Sequence, residues 1–349
     1  MKVRNSVLGP GAVLTATLLL AAGCASKPAQ VDDAKLKMFA PLPETIPAKA
    51  AGPLEAQVSL GRMLYYDARL SKSQTISCNS CHDLAKYGVD GAPTSLGFKG
   101  QHGDRNSPTV YNAAAHIAQF WDGRAPDVEG QAKGPVLNPV EMAMSSDQAV
   151  VAVLESMPEY VAAFQKAFPD DKKPVSYDNM SLAIGTFERG LLTPSRWDKF
   201  LKGDKTALTA EEQAGFQQFV AAGCSTCHVG ALLGGNLYQK IGLMKPYPDP
   251  DPGRYQVTKV ESDRMMFKVP SLRNVAKTAP YFHNGKVGSL DQAIAQMAEY
   301  QLDKQLSPAE VSSILTFLNT LTGEIPAQYI QKPELPKSTA KTPKPVEGD

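Results

Sequence analysis

Apolar side chains recur at helical spacing through most of the chain between residues 54 and 323. Leu60 and Leu64 lie on one face of a predicted helix, and Phe216 and Phe219 lie on a helix that leads to a cysteine pair. Further helices are predicted at 150–154, 160–168, 178–189, 289–297 and 307–318. No stretch alternates between apolar and polar residues over the length of a strand. The pattern therefore predicts an all-α fold with long loops.

Three helix starts in the second half have a capping box, in which Ser or Thr is followed three positions later by Glu or Gln. They are Thr209 to Glu212, Ser289 to Gln292 and Ser307 to Glu310. The side chains of such a pair satisfy backbone N–H groups that have no partner in the first turn. The boxes therefore predict where these three helices begin.

The sequence Cys-x-x-Cys-His occurs twice and is typical of covalent c-type haem attachment. The two thiols add to the haem vinyl groups, and the histidine becomes the proximal iron ligand. A redox-active cysteine pair or half of a zinc site is the alternative interpretation. Neither alternative explains a histidine directly after both pairs, so the sequence predicts two covalently bound haem c groups. The two copies are Cys78-Asn79-Ser80-Cys81-His82 and Cys224-Ser225-Thr226-Cys227-His228.

Composition and charge restrict the function further. The chain has 349 residues, 43% of them hydrophobic, which is enough for two domains with cores of their own. The net charge of +1 gives no indication of a nucleic-acid partner. We predict an N-terminal haem domain at 54–195 and a C-terminal haem domain at 196–330.

The N-terminus resembles a bacterial export signal over residues 1–24. Lys2 and Arg4 precede a short apolar segment at 13–22, which is shorter than an ordinary membrane span. Small residues before Cys24 resemble a lipoprotein cleavage box, although Ala21 stands where Leu is usual. Ordinary signal cleavage is the alternative. We predict a periplasmic protein whose only membrane contact is a lipid on Cys24.

Proline-rich segments flank the predicted domains. Residues 25–53 contain five prolines and are predicted to form a tether. Residues 331–349 contain four prolines and almost no large apolar residue, so we expect a disordered tail.

The two halves share a pattern at a separation of 162 residues, which predicts an internal duplication. Trp121 is matched by His283, and the segment beyond contains Glu141 in the first half but Met297 in the second. These differences predict two haems with different roles. The matched pairs include Pro108 and Pro270, Asn112 and Asn274, Phe120 and Phe282, and Gly123 and Gly285.

These motifs resemble the bacterial dihaem cytochrome c peroxidases, and the likeness extends from Leu54 to Gly323. It rests on Arg105-Asn106-Ser107-Pro108-Thr109, Gln119-Phe120-Trp121-Asp122-Gly123-Arg124, Asn138-Pro139-Val140-Glu141-Met142, Phe267-Lys268-Val269-Pro270-Ser271-Leu272-Arg273-Asn274 and Pro280-Tyr281-Phe282-His283.

The resemblance implies a role for each haem. The haem on His82 would reduce peroxide, and the haem on His228 would accept electrons, with Met297 as its second axial ligand. Glu141 would be the distal acid and base. The other implied residues are Gln119 and Phe120 on the distal face, and Trp121 between the haems.

The resemblance also implies a calcium ion between the haems, held by Asn106, Thr278 and Pro280. Many family members block the peroxide site, when oxidised, with a histidine at the position occupied here by Phe98. His102 lies four residues on and is a candidate replaceable distal ligand. A solvent-facing loop histidine is the alternative interpretation. His283 is expected to lie near a haem propionate or in the network between the haems, and His116 is expected to be a structural residue.

Three functions remain open from sequence. The first is reduction of hydrogen peroxide with electrons from a small periplasmic cytochrome c or a cupredoxin. Members of the family are often dimers, so a homodimer is expected. The second is maturation of a tryptophan-derived quinone cofactor, in which tyrosine replaces the methionine ligand. Met297 argues against this function, although Tyr300 lies nearby. The third is a non-catalytic dihaem electron carrier, which would not need Glu141.

Overall fold

The computed structural model describes residues 1–3, 5–6, 31, 33–49, 52 and 54–346. The apolar segment of the predicted signal and Cys24 lie outside these residues. Among the residues described, no helix is both long and apolar enough to cross a membrane.

The secondary structure is mostly helical, which confirms the predicted class. The one correction is a small antiparallel sheet of β1, Tyr238–Lys240, and β2, Met266–Lys268, in which Gln239 lies opposite Phe267. Strands of three residues are too short to produce a detectable alternation. The helices are α1 Asp33–Leu36, α2 Leu54–Tyr66, α3 Cys78–Cys81, α4 Val128–Leu137, α5 Asp147–Glu155, α6 Pro158–Ala167, α7 Tyr177–Glu188, α8 Arg196–Leu201, α9 Ala210–Ala222, α10 Tyr255–Thr258, α11 Leu290–Leu302 and α12 Pro308–Asn319.

The N-terminal core forms where α2 packs on α7. Leu60 and Leu64 of α2 are fully buried with Phe187 of α7, and burying each such side chain contributes about 1.5–3 kcal/mol. Gly61 allows the close approach, because a Cβ there would lie 1.9 Å from the carbonyl oxygen of Ala183. This packing supports the chain on either side of the first haem motif.

The C-terminal core is aromatic. Trp197 of α8 is fully buried and contacts Phe216 of α9 and Phe317 of α12, with ring centroids 5.0 and 5.1 Å away. Capping boxes form at Thr209 and Ser307 as predicted, which fixes the starts of α9 and α12, whereas the predicted box at Ser289 does not form although α11 begins directly after it. Helix α9 then ends at the second haem motif.

The loops that follow the two haem motifs have the same backbone form. Phe120 and Phe282 have φ angles of 65° and 67°, in the left-handed region that side chains rarely adopt. Asn112 and Asn274 both have φ of 61°, and their side-chain amides donate to Thr193 Oγ1 at 2.8 and 2.9 Å. The two loops therefore meet at a single hydroxyl between the halves.

The described parts of both proline-rich segments pack on the domains, which differs from the expected tether and disordered tail. Phe39 is buried against Trp197, and the N–H of Leu42 donates to Asp198 Oδ1 at 2.7 Å. In the tail, Thr342 Oγ1 lies 2.8 Å from Ser156 Oγ. Proline prevents regular hydrogen bonding within such a segment but not contacts with surfaces distant in sequence.

Candidate active site

The first haem motif opens onto a cavity of about 490 Å³. Cys78 and Cys81 lie at the two ends of the single turn of α3, and His82 follows directly. His82 Nδ1 lies 3.3 Å from the Gly88 carbonyl oxygen, which holds the proton on Nδ1 and leaves the Nε2 lone pair for a metal. All three side chains line the cavity, so the residues present fit a covalently attached haem.

Burial sets the protonation of these groups. It lowers the pKa of His82, so the ring is neutral, as an iron ligand must be. It raises the pKa of the Cys78 thiol to about 12 and that of the Cys81 thiol in the same direction. The site therefore favours neutral thiols, which are unlike the thiolates of a redox-active pair or a zinc site.

Glu141 lies in the turn after α4 and lines the same cavity. The Asn138 side-chain amide donates to Glu141 Oε1 at 2.9 Å. Burial raises the pKa of Glu141, and this effect outweighs the opposing charge of Arg124 and the hydrogen bond from Asn138. A carboxyl group whose pKa is raised in this way holds a proton more readily, which suits a group that must both accept and return one.

The other predicted distal residues surround Glu141. Gln119 is buried, and its Nε2 donates to the Ala113 carbonyl at 2.8 Å. The Arg124 guanidinium lies 3.5 Å from the centre of the Phe120 ring. Sequence reasoning did not select Arg124, although it ends one of the family-like stretches. A second cavity of about 250 Å³ is lined by Phe120, Arg124, Pro135, Asn138 and Glu141, among other residues, and these five also line the first cavity.

The second haem motif has matching geometry. His228 Nδ1 lies 2.9 Å from the Leu233 carbonyl oxygen, and burial lowers the pKa of His228. Burial also raises the pKa of the Cys224 thiol to about 11. Met297 of α11 packs against the buried cluster that also contacts Phe282, the counterpart of the distal Phe120. Cys224 and His228 thus fit a second covalently attached haem, and the role of Met297 as its second axial ligand stays a prediction.

Aromatic rings connect the two sites. Trp121 donates Nε1–H to the Asn106 carbonyl at 2.8 Å, and its ring centre is 6.4 Å from that of His283. His283 stacks on Phe267 at 4.2 Å. Sequence reasoning missed Phe267 as a member of this group, because only its position in a family-like stretch marked it.

The loop with the candidate distal histidine borders the first cavity. His102 lines it, with Nδ1 3.2 Å from Thr94 Oγ1. Phe98 is buried and is not among the lining residues. The loop thus brings His102 to the site and turns Phe98 away from it.

The residues predicted to bind calcium lie on adjoining loops. The N–H of Asn106 donates to the carbonyl of His283, three residues after Pro280, at 2.7 Å. The Asn106 side-chain amide donates to the Ala92 carbonyl at 3.0 Å, which leaves Oδ1 available as a hard ligand. In the described part of the chain, no group of three or more His, Cys, Asp or Glu side chains could hold a metal ion.

Comparisons with known proteins agree with this geometry. The family described as di-haem cytochrome c peroxidase matches residues 55–206. The chain is 49% identical over 317 residues to the cytochrome c551 peroxidase of Pseudomonas aeruginosa, covering 89% of this chain and 91% of that protein. It is 47% identical over 302 residues to the cytochrome c551 peroxidase of Nitrosomonas europaea, covering 85% of this chain and 89% of that protein.

A solved structure has the same fold. It is a MauG-like protein associated with microbial copper homeostasis, with a TM-score of 0.73 and 29% sequence identity, covering 84% of this chain and 98% of that one. The haem motifs, the cavity geometry and the extent of these likenesses lead to one conclusion: the chain belongs to the di-haem cytochrome c peroxidase family and is a peroxidase of the oxidoreductase class.

Proposed function

We propose that this peroxidase reduces hydrogen peroxide to water with electrons from a small periplasmic cytochrome c or copper protein. The observation that supports it most directly is that Glu141 and His82 line one cavity while burial raises the pKa of Glu141. A proton-accepting carboxyl group in the same cavity as a buried, neutral iron ligand suits a reaction that must move a proton between two oxygen atoms.

The residues of the cavity would divide the work. Haem attached at His82 supplies, when bound, the iron position and the electrons for breaking the O–O bond. Glu141 would accept a proton from one peroxide oxygen and return it to the other, departing oxygen, which leaves as water. Two electrons from the donor protein and two further protons from solvent convert the remaining oxygen to a second water. The Asn138 amide keeps the carboxyl group in place through Oε1, and Gln119 and Phe120 close the distal face.

Electrons would arrive at the His228 centre, with Met297 as the second axial ligand. A thioether ligand raises a haem's reduction potential, which suits a centre that accepts electrons from a donor protein. Trp121 lies between the two halves, with its backbone and side chain both hydrogen-bonded. Trp121 would therefore be a rigid part of the electron-transfer path from the His228 haem to the His82 haem.

We also propose several features of this chain that the similarity to known proteins does not test. Asn106, Thr278 and Pro280 would bind a calcium ion, supported by the free Oδ1 of Asn106. His102 would be a replaceable distal ligand, supported by its place on the cavity wall. Matching backbone angles in the two loops support an internal duplication. A periplasmic location with a lipid on Cys24 rests on the sequence alone, as does a homodimer.

The test is peroxide-dependent oxidation of a reduced small cytochrome c by purified holoprotein with two covalent haems. Mass spectrometry must first find two haem masses retained after acid–acetone extraction. Sustained turnover would support the proposal. Rapid electron exchange without peroxide turnover would favour a carrier, and turnover only with a tryptophan-containing protein substrate would favour quinone maturation.

A further inference from the structure

A buried lysine lies between the two halves and, in the described part of the chain, has no carboxylate partner. Lys268 of β2 is 6% exposed, and its ammonium group hydrogen-bonds to His116 Nδ1 at 2.8 Å. Among the described residues, no Asp or Glu forms an ion pair with Lys268, and burial lowers its pKa to about 8. A buried cation of this kind is costly unless an anion compensates it.

His116 adds a second donor that has no partner. Burial, and then the charge of Lys268, lower the pKa of His116 well below its ordinary value, so the ring is neutral. Because Nδ1 accepts from the lysine, the ring proton lies on Nε2. That buried atom has no hydrogen-bond partner in the described chain. Lys268 and His116, called here the buried pair, thus offer donors to an acceptor that the described residues do not provide.

The position of Lys268 matches that of Asn106 in the other half. The N–H of Asn106 donates to the carbonyl of His283 at 2.7 Å, and the N–H of Lys268 donates to the carbonyl of Trp121 at 2.8 Å. Asn106 lines the cavity over His82. The corresponding residue in the C-terminal half should therefore face the haem of that half.

Contacts of the buried pair point the same way. The ring of His116 packs on Gly235, where a Cβ would lie 2.8 Å from His116 Cδ2. The preceding residue, Gly234, lies against His228, since a Cβ there would be 3.3 Å from its Nδ1. Neither member of the buried pair lines the cavity of the N-terminal haem motif. The buried pair thus belongs with the second haem.

We propose that Lys268 and His116 bind a propionate carboxylate of the haem attached at His228. The inference rests on haem attachment there, and it goes beyond the proposed reaction by assigning this haem's charge partner. The ammonium group would neutralise the propionate, and a positive charge near the iron favours the reduced state. Lys268 would therefore raise the reduction potential of the electron-accepting haem without ligating it.

The experiment compares Lys268→Met with Lys268→Arg in holoprotein of verified two-haem mass. Methionine keeps the length of the side chain but removes the charge, whereas arginine keeps the charge. A potentiometric titration should show about a tenfold lower ratio of reduced to oxidised His228 haem in Lys268→Met at a fixed potential, equivalent to about 59 mV. Lys268→Arg should remain near the wild-type value, and the His82 haem should change little.

Resonance Raman spectra give an independent measurement, because the propionate bending mode should shift in Lys268→Met and not in Lys268→Arg. His116→Phe should lower the reduction potential of the His228 haem by a smaller amount. This variant tests the proposal if Lys268→Met does not fold. An unchanged potential, an equal fall in Lys268→Arg, or a fall confined to the His82 haem would overturn the proposal. If two haems are not retained by the wild type, the proposed function itself fails, and the two failures are thereby distinguished.

Discussion

The N–H of Phe98 donates to the carbonyl of Glu141 at 2.8 Å. The preceding residue, Gly97, packs so closely that a Cβ would lie 1.9 Å from the Val140 carbonyl oxygen. The loop that contains His102 is therefore hydrogen-bonded to, and packed against, the segment that contains Glu141. Movement of the loop and placement of Glu141 are therefore coupled.

Replacing Glu141 by Gln should retain both haems and their potentials but reduce peroxide turnover. The amide cannot accept a proton, and general acid–base catalysis contributes on the order of a hundred- to ten-thousand-fold. Steady-state kinetics with reduced cytochrome c measures the loss. Glu155→Gln, on an exposed position of α5, is the control and should match the wild type. Near wild-type turnover in Glu141→Gln would show that Glu141 is not the distal acid and base.

The charge of Arg124 should be visible in the pH profile. Glu141 must be unprotonated to accept a proton, so kcat/KM falls as the pH decreases through its pKa. Since the charge of Arg124 lowers the pKa of Glu141, Arg124→Gln should shift this acidic limb to higher pH. Arg124→Lys retains the charge and should leave the limb in place. A shift to lower pH would contradict the interpretation.

Met297→His should lower the reduction potential of the His228 haem. Imidazole donates more strongly to iron than a thioether and favours the oxidised state, with a shift on the order of 100 mV within the roughly 0.8 V range set by axial ligands. Spectroelectrochemistry measures it. Met265→Leu is a matched control, because Met265 contacts the same cluster. If both variants leave the spectrum and potential unchanged, Met297 is a packing residue.

Asp198→Asn should destabilise the C-terminal core. Both Asp198 oxygens accept hydrogen bonds from the fully buried Arg273 at 2.8 Å, and removing one partner of a buried pair costs about 3–5 kcal/mol. Glu261→Gln, which breaks an exposed pair with Arg264, should leave the stability almost unchanged, because solvent screens such a pair. Urea unfolding followed by circular dichroism measures both, and equal effects would contradict the argument.

The same pair predicts an acid limit of stability. Burial opposes ionisation of Asp198, but the hydrogen bonds from Arg273 outweigh it and hold the pKa of Asp198 below its ordinary value. The folded pKa is thus below the unfolded value of about 3.9. The stabilisation of the folded state by the Asp198–Arg273 pair is complete above the unfolded pKa and is lost as the pH falls through the folded pKa.

The sequence predicted what depends on short spacings. Haem attachment by Cys78, Cys81 and His82 requires neighbours in the chain, so the motif and the helices around it could be identified. The hydrogen bond between Lys268 and His116 could not be predicted, because it joins residues 152 positions apart. Packing of the tail through Thr342 was missed for the same reason, since composition describes a segment and not its partner.

His102→Ala tests whether the loop controls access to the His82 haem. In the oxidised wild type we expect a low-spin haem blocked by His102, which reacts slowly with peroxide until the other haem is reduced. The variant should be high-spin and react about tenfold faster or more, because a site blocked nine-tenths of the time is available for one-tenth of it. Optical spectra and stopped-flow mixing measure the two properties.

Leu96→Ala is the matched control for this loop. Leu96 is exposed, lines the same cavity and has no atom that ligates iron, so its variant should retain the blocked spectrum. Glu141 is fastened to the same loop, so the variants must also be compared after partial reduction, when both should turn over at similar rates. If the oxidised wild type and His102→Ala are equally high-spin and react with peroxide at once, the site is permanently open, and Thr94 holds His102 only as a surface residue.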